Sequence, residues 1–349
     1  MSAVSIVRRV TVLGLLGGGI VALSAACSEP APPPPPPAPV VKTDAERVAR
    51  YQQCWQFLND KAWDQFGTCY TENAVSENID AQPASYSGRA AIVEGGKGGD
   101  AVFPDRHGEL KLVLQNGSHV LGVALWTGTN TGAMPPGPDG KAQPATGKPI
   151  GLYLAHTAEW DATGNAVVRD AAYIDEGTIA SQLGVSPAPS RPVQKATGGA
   201  PTVVIAKNDD TEKANIATTQ AMFEALNKHD ATALGAFMAE EYKGITVASP
   251  GDQNKKESIA GTKEMFGAFP DVKITPATTW AAGDYVVVAG TFEGTNTGDM
   301  PSMKMKKTGN KVSDRFIEIF KMSGGKVTED WLFYNGAAMM AQLTAPAKK

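Results

Sequence analysis

The stretch "VKITPATTWAAGDYVVVAGTFEGTNTG", Val272–Gly298, decides how this 349-residue chain folds. β-Branched and aromatic residues recur at strand period on both sides of Gly283–Asp284, a pair suited to a tight turn, so the segment reads as a β-hairpin. Two further strands follow, "KVSDRFIEIFKM" (Lys311–Met322) and "GKVTEDWLFYN" (Gly325–Asn335), joined across "SGG". Upstream the period changes to that of a helix. Helices are expected over Glu212–Asn227, Ala231–Met238 and Lys256–Ala268, the last stopped by Pro270. Helices first and an antiparallel meander after them make an α+β domain with the helices on one sheet face.

The same text occurs twice. "GTNTG" stands at Gly128–Gly132 and Gly294–Gly298, each copy at the same distance after an "FPD", Phe103–Asp105 and Phe269–Asp271. "FLND" (Phe57–Asp60) lies against "ALNK" (Ala225–Lys228), and "VVRDAAYIDEGTIASQLG" (Val167–Gly184) against "VTEDWLFYNGAAMMAQLT" (Val327–Thr344). The matches keep their order, which is the mark of a duplicated domain; solenoid repeats are far shorter. Residues 43–185 form domain 1, 186–210 a Pro/Gly-rich linker and 211–346 domain 2.

The N-terminus is of another kind. Arg8 and Arg9 precede an apolar stretch, Val10–Ala26, that ends in small residues before Cys27. Residues 1–26 read as a secretory signal. The run ending at Cys27 resembles the bacterial lipoprotein box, although Ser24 stands where Leu is usual and Leu23 is one place early. The resemblance implies diacylation of Cys27 and anchoring to a membrane, with Ser28 resembling an outer-membrane sorting residue and the protein facing the periplasm. Residues 27–42, with "SEPAPPPPPPAPVVK", suit a stiff polyproline tether. Without the anchor and signal, two cysteines remain, Cys54 and Cys69. Export permits a disulfide between them, from helix to helix, and two buried thiols are the alternative. The net charge of −4 carries no footprint for nucleic acid.

"AFPDVKITPATTWAAGDYVVVAGTFEGTNTGDM" with "NKVSDRFIEIFKMSGGKVTEDWLFYN" resembles the SnoaL-like polyketide cyclases, also called ester cyclase-like proteins, of the nuclear-transport-factor-2-like superfamily. The resemblance covers most of Glu212–Leu343 and recurs more faintly over Asp44–Leu183. It implies two tandem cone-shaped α+β barrels, each a curved antiparallel sheet wrapped round N-terminal helices with a pocket inside. Members commonly pair through the sheet, so the two halves of this chain would form an intramolecular pseudo-dimer. "GTNTG" then reads as a strand terminator near the cone mouth, with ligand contact through Asn130 or Asn296 as the alternative.

Cyclases of this type use a carboxylate base in an apolar pocket, where burial raises its pKa. The resemblance places that base at the end of the last strand. Domain 2 reads Glu329, Asp330, Trp331, Leu332, Phe333, Tyr334, Asn335: a His of the pattern is replaced by Asp330, and an amide stands at the base position. Domain 1 reads Arg169, Asp170, Ala171, Ala172, Tyr173, Ile174, Asp175. Asp175 is therefore the candidate base, its alternative reading being a carboxylate at a helix N-terminus. Trp331, Phe333, Asn335, Tyr173 and Tyr153 are the candidate pocket residues. The four histidines have no metal-ligand spacing, no cofactor motif appears, and "EGGKGGD" (Glu94–Asp100) reads as a flexible loop rather than a phosphate loop. The expectation is a membrane-anchored protein that binds a small apolar or amphipathic molecule, or a partner, without catalysis. The alternative is an acid/base enzyme of cyclase or isomerase type working through Asp175.

Overall fold

The computed structural model describes residues 41–136 and 142–346. The expected signal 1–26, Cys27, the expected tether up to residue 40 and the centre of the loop after the first "GTNTG" lie outside the described residues. Domain 1 runs α1 (Asp44–Asn59), α2 (Trp63–Gly67), β1 (Tyr70–Asn78), β2 (Ser85–Ser87), α3 (Arg89–Val102), β3 (His107–Asn116), β4 (His119–Thr129), β5 (Met134–Pro136), β6 (Ala142–Gln143), β7 (Pro149–Trp160), β8 (Val167–Tyr173) and α4 (Glu176–Gln182). After β9 (Thr202–Ile205), domain 2 repeats the plan: α5 (Asp210–Asn227), α6 (Ala231–Phe237), β10 (Met238–Thr246), β11 (Gln253–Asn254), α7 (Lys255–Ala268), β12 (Lys273–Ala282), β13 (Tyr285–Thr295), β14 (Lys311–Ser323), β15 (Lys326–Phe333) and α8 (Gly336–Thr344). No helix among the described residues is long and apolar enough to cross a membrane.

Two α+β domains in tandem are thus present. Their sheets are open: β2-β1-β8-β7-β4-β3-β9 and β11-β10-β15-β14-β13-β12. The expected barrels do not close. The last strand of each meander returns to lie parallel to the first, β8 on β1 and β15 on β10. Part of the expected linker is strand: Thr202–Ile205 runs parallel to β3 and extends the domain 1 sheet.

Period two divides each strand between two environments. In domain 2, Val286, Val288, Phe316, Phe320 and Met322 pack with Met222 and Phe223 of α5. In domain 1, Val113, Val120, Ala124 and Leu154 pack with Tyr51 and Trp55 of α1. The opposite faces of the two sheets share one buried cluster: Leu114, Leu121, Ala155, Ala171 and Tyr173 from domain 1 with Trp280, Val287, Ile317, Ile319 and Phe333 from domain 2. The Tyr153 and Trp331 rings meet edge to face at 5.1 Å, and His119 stacks on Trp280 at 6.3 Å. Cys54 of α1 is disulfide-bonded to Cys69. Cys69 stands in the turn before β1 rather than in a helix, so the bond ties α1 to the sheet. Closing a loop of this length contributes about 3 kcal/mol.

"FPD" and "GTNTG" form one clasp, built twice. Asp105 accepts from Thr129 N (2.6 Å) and Thr129 Oγ1 (2.7 Å); Asp271 accepts from Thr295 N (2.7 Å) and Thr295 Oγ1 (2.6 Å). Asn296, fully buried, donates to Gly298 O (2.9 Å) and accepts from Thr308 N (2.8 Å). Asn130 does the same with Gly132 O and Thr146 N. A Cβ on Gly132 would stand 1.7 Å from Ala101 O, and one on Gly298 2.1 Å from Gly267 O, so both closing glycines are obligatory. The asparagines hold the clasp. Asn296→Ala strands two buried backbone partners and is expected to cost about 2 kcal/mol, read as a lower urea midpoint with an unchanged slope. An unchanged midpoint would refute the clasp.

"EGGKGGD" is helical, not a loop: it lies inside α3. Its glycines admit neighbours that a side chain would exclude. A Cβ on Gly95 would meet the Tyr86 ring at 2.6 Å, and one on Gly96 the Trp63 ring at 2.8 Å. Tertiary packing here outweighs a helix penalty of about 1 kcal/mol per glycine.

Candidate functional site

Each domain holds a cavity between its helices and the helix-facing side of its sheet. The domain 2 cavity is about 400 Å³ and mostly apolar, walled by Met222, Phe223, Leu234, Phe316, Phe320 and Leu332. That volume and lining suit a small organic molecule. The polar groups come from alternate positions of two neighbouring strands: Asp314 and Glu318 from β14, Asp330 from β15.

Asp330 is the centre of the polar set. Tyr242 Oη, from β10, donates to its Oδ2 at 2.8 Å. Its Oδ1 is buried with no donor in hydrogen-bond geometry. Glu318 is the carboxyl beside it, one diagonal step away across the strand pair, since Glu318 faces Leu332 and Phe320 faces Asp330. Burial pushes the Asp330 carboxyl up to about 6, against the hydrogen bond of Tyr242, which pulls it down. Burial first, and the neighbouring Asp330 second, push Glu318 well above the carboxylate range. Burial is the leading cause for both carboxyls, and the two stand close enough to titrate as a pair.

Asp314 lies nearer the domain 1 side of the same cavity. Both its oxygens are buried without a partner. Burial, followed by the adjacent Asp80 of domain 1, pushes its carboxyl up to about 8. Asp80 itself accepts from Arg315 N at 2.8 Å and from Arg315 Nε at 3.3 Å.

The domain 1 cavity is smaller, about 260 Å³, and its walls are aromatic: Tyr51, Trp55, Phe66, Tyr70, Trp126 and Trp160. Asp170 stands at the position of Asp330, and the strand registers place His156 where domain 2 has Glu318. His156 Nε2 lies 3.2 Å from Asp170 Oδ2, and its Nδ1 2.9 Å from Tyr51 Oη. Tyr70 Oη donates to Asp170 Oδ2 at 2.7 Å. Both ring nitrogens of His156 are thus committed within the protein, and Asp170 is 3 % exposed. The phenols that reach the two aspartates come from different strand positions: Tyr70 pairs with Val167, whereas Tyr242 precedes the Lys243–Glu329 pair.

The residues expected from sequence stand elsewhere. Asp175 lines neither cavity. It is the N-cap of α4: its oxygens accept from Gly177 N (3.1 Å), Thr178 N (2.8 Å) and, across the domains, Gly336 N (2.9 Å). Three backbone donors commit it to capping, the alternative reading of this residue. Asn335 occupies the equivalent N-cap of α8, and its Nδ2 donates to Asp80 O (2.9 Å) and Glu176 Oε2 (3.0 Å). Trp331, Phe333, Tyr153 and Tyr173 belong to the cluster between the sheets, not to a pocket. Their neighbours at the opposite parity, Asp330, Leu332, Leu154 and Ala172, line the cavities or, like Asp170, stand behind the wall. One signal for the aspartates was in the sequence: Asp170 and Asp330 are the same residue at the same place in both copies of the last strand.

Comparison with known proteins follows the same division. A family model described as SnoaL-like polyketide cyclase matches residues 45–183 and again 216–343. Among solved structures, a protein assigned as a SnoaL-like polyketide cyclase from Jannaschia sp. CCS1 is 21 % identical over 40 % of this chain and 98 % of its own, with a TM-score of 0.37. An NTF2-like protein of unknown function from Burkholderia pseudomallei is 18 % identical, over 38 % of this chain and 98 % of its own, with a TM-score of 0.33. An LEH-like epoxide hydrolase from M. tuberculosis is 14 % identical, over 38 % and 91 %, with a TM-score of 0.32. No curated protein matches the chain.

Proposed function

The chain belongs, twice over, to the SnoaL-like polyketide cyclase family, and from that premise we propose that domain 2 binds a small, largely apolar molecule and moves a proton on it with Asp330. The observation that carries this reading is the Asp330–Glu318 pair inside a 400 Å³ apolar cavity, with Asp330 raised to about 6. A carboxylate tuned close to neutral pH is a stronger base than an exposed one and is still ionised when needed. Glu318, kept neutral beside it, supplies a proton donor to an oxygen of the ligand. The chemistry this supports is abstraction of an acidic C–H next to a carbonyl, with the developing enolate oxygen accepting a hydrogen bond. The expected base moves from domain 1 to domain 2, and from the capping position to the middle of the last strand.

The test needs no knowledge of the natural ligand. Ring opening of 5-nitrobenzisoxazole requires only a base in an apolar site: the base takes the C–H proton, the N–O bond breaks, and a coloured phenolate forms. Saturable catalysis by the full chain is expected, lost in Asp330→Asn and kept in Asp175→Asn. Loss in Asp175→Asn with retention in Asp330→Asn would overturn the assignment.

We further propose that the domains work outside the cytoplasm, held to a membrane through lipidated Cys27. Support comes from the signal-like residues 1–26 and the tether-like composition of 27–42. Cys27→Ala is expected to move the protein from the membrane to the soluble fraction on cell fractionation. Membrane retention of that variant would refute the anchor.

A further inference from the structure

We propose that the domain 1 cavity is a separate binding site for a one- or two-ring aromatic carboxylate, anchored on Arg106. The proposal is independent of the chemistry assigned to domain 2.

Arg106 lies on the cavity wall, yet its side chain is only 9 % exposed. Burying a guanidinium requires it to be held, and it is held on several sides. Its Nε donates to Asp100, and its Nη2 donates to Gly96 O at 2.7 Å. The guanidinium lies over the Trp63 ring at 5.8 Å and over the Trp126 ring at 5.3 Å. Contact with two indole faces and two hydrogen bonds restrain the guanidinium, which is what an arginine used for recognition needs. Among the described residues Nη1 has no hydrogen-bond partner. Asp100 also lies 4.0 Å from Lys61.

The glycine-rich part of α3 explains how the clamp fits. A Cβ on Gly99 would stand 2.6 Å from Arg106 Nη1, and one on Gly96 2.8 Å from Trp63. The helix has given up side chains where these two residues pack. Domain 2 has none of this: Ala231, Thr262, Met265, Val272 and Phe292 stand at the equivalents of Trp63, Gly96, Gly99, Arg106 and Trp126. The whole constellation belongs to domain 1.

Charge orients the ligand. On the sheet side of the cavity His156 has both ring nitrogens committed to Tyr51 and Asp170 and offers an anion no donor, which leaves Arg106 as the cation of the lining. A carboxylate therefore goes to Arg106 and its ring to the compartment between Trp55, Trp126 and Trp160. A volume of about 260 Å³ accommodates one or two fused rings with their carboxylate.

The probe is 2-naphthoate, titrated into the full chain and followed by tryptophan fluorescence and calorimetry. One saturable site is expected, weakened at least tenfold by Arg106→Met, as loss of a hydrogen bond to a charged group implies. The uncharged 2-naphthalenemethanol should bind wild type and variant alike. Gly99→Ala leaves Arg106 in place but displaces Nη1, and it should weaken 2-naphthoate in the same direction; it decides the matter if Arg106→Met does not fold. Equal affinity of wild type and Gly99→Ala or Arg106→Met for 2-naphthoate would overturn the proposal. So would loss of the site when Met222→Trp fills the domain 2 cavity instead.

Discussion

Asp330→Asn is expected to lower the rate of base-catalysed proton transfer by about 10²–10⁴-fold, the usual worth of a positioned general base. The substitution keeps the shape of the side chain and can still accept from Tyr242, so the cavity should bind ligands as before: the loss falls on kcat and spares KM. The wild-type rate should climb with pH through about 6, because only the ionised form of Asp330 accepts a proton. Glu318→Gln retains a neutral donor beside Asp330 and should keep most of the activity. Stability should move the other way from activity. The folded-state pKa of Asp330 lies above its ordinary value, so its contribution is fully present below about pH 4 and is lost as pH rises through about 6. Above that pH the wild type carries a buried charge that Asp330→Asn lacks. The variant should therefore melt no lower than wild type at pH 8. A melting temperature well below wild type, or a rate within twofold of it, would remove Asp330 from the mechanism.

Asn335→Asp is expected to cost about 3 kcal/mol or more, the scale of an uncompensated buried charge, and to lower Tm by roughly 8 °C in a protein of this size. Asn335 is 1 % exposed and donates through Nδ2 to Asp80 O and Glu176 Oε2. A carboxylate has no hydrogen to donate, so both bonds vanish and two oxygens of like charge face each other over the old 3.0 Å contact. Asp175, which accepts from the neighbouring Gly336 N, lies within the same junction. Thermal melts at pH 7 and pH 4 separate the two losses. Asn335→Ala removes the bonds alone and should recover little at low pH, whereas Asn335→Asp should recover toward it as the new carboxyl protonates. Equal Tm values for wild type and Asn335→Asp would show that the junction is open to water.

The fold was readable because it rests on period and repetition. Strand period in Val272–Gly298 placed the hairpin, and the second "GTNTG" and "FPD" fixed the register between the halves. The clasp that joins those motifs explains why they kept their spacing: Asp271 must reach Thr295, as Asp105 must reach Thr129. What could not be read was which face of each strand looks into the cavity. Both faces are covered, one by helices and one by the other sheet, so both parities are rich in apolar residues. A shift of one residue then exchanges the wall of the cavity for the junction between domains. Trp331 and Phe333 face the junction, while Asp330, Leu332 and Tyr334 form the wall. The glycines of α3 were unreadable for a related reason: what stabilises that helix is Trp63, Tyr86 and Arg106, remote in sequence from any helical signal.

The mismatch of Asp175 with Asn335 also bears on which partners each half accepts. Two copies of one domain meeting across a two-fold axis must present the same residue from both sides, acid to acid or amide to amide. Fusion into one chain lifts that restriction: here Asp175 accepts from Gly336 N, while Asn335 donates to Asp80 O and Glu176 Oε2. Each half is thereby matched to the other rather than to itself. Domain 1 and domain 2 made as separate chains would select each other from a mixture, and surplus domain 1 would pair poorly with its own kind.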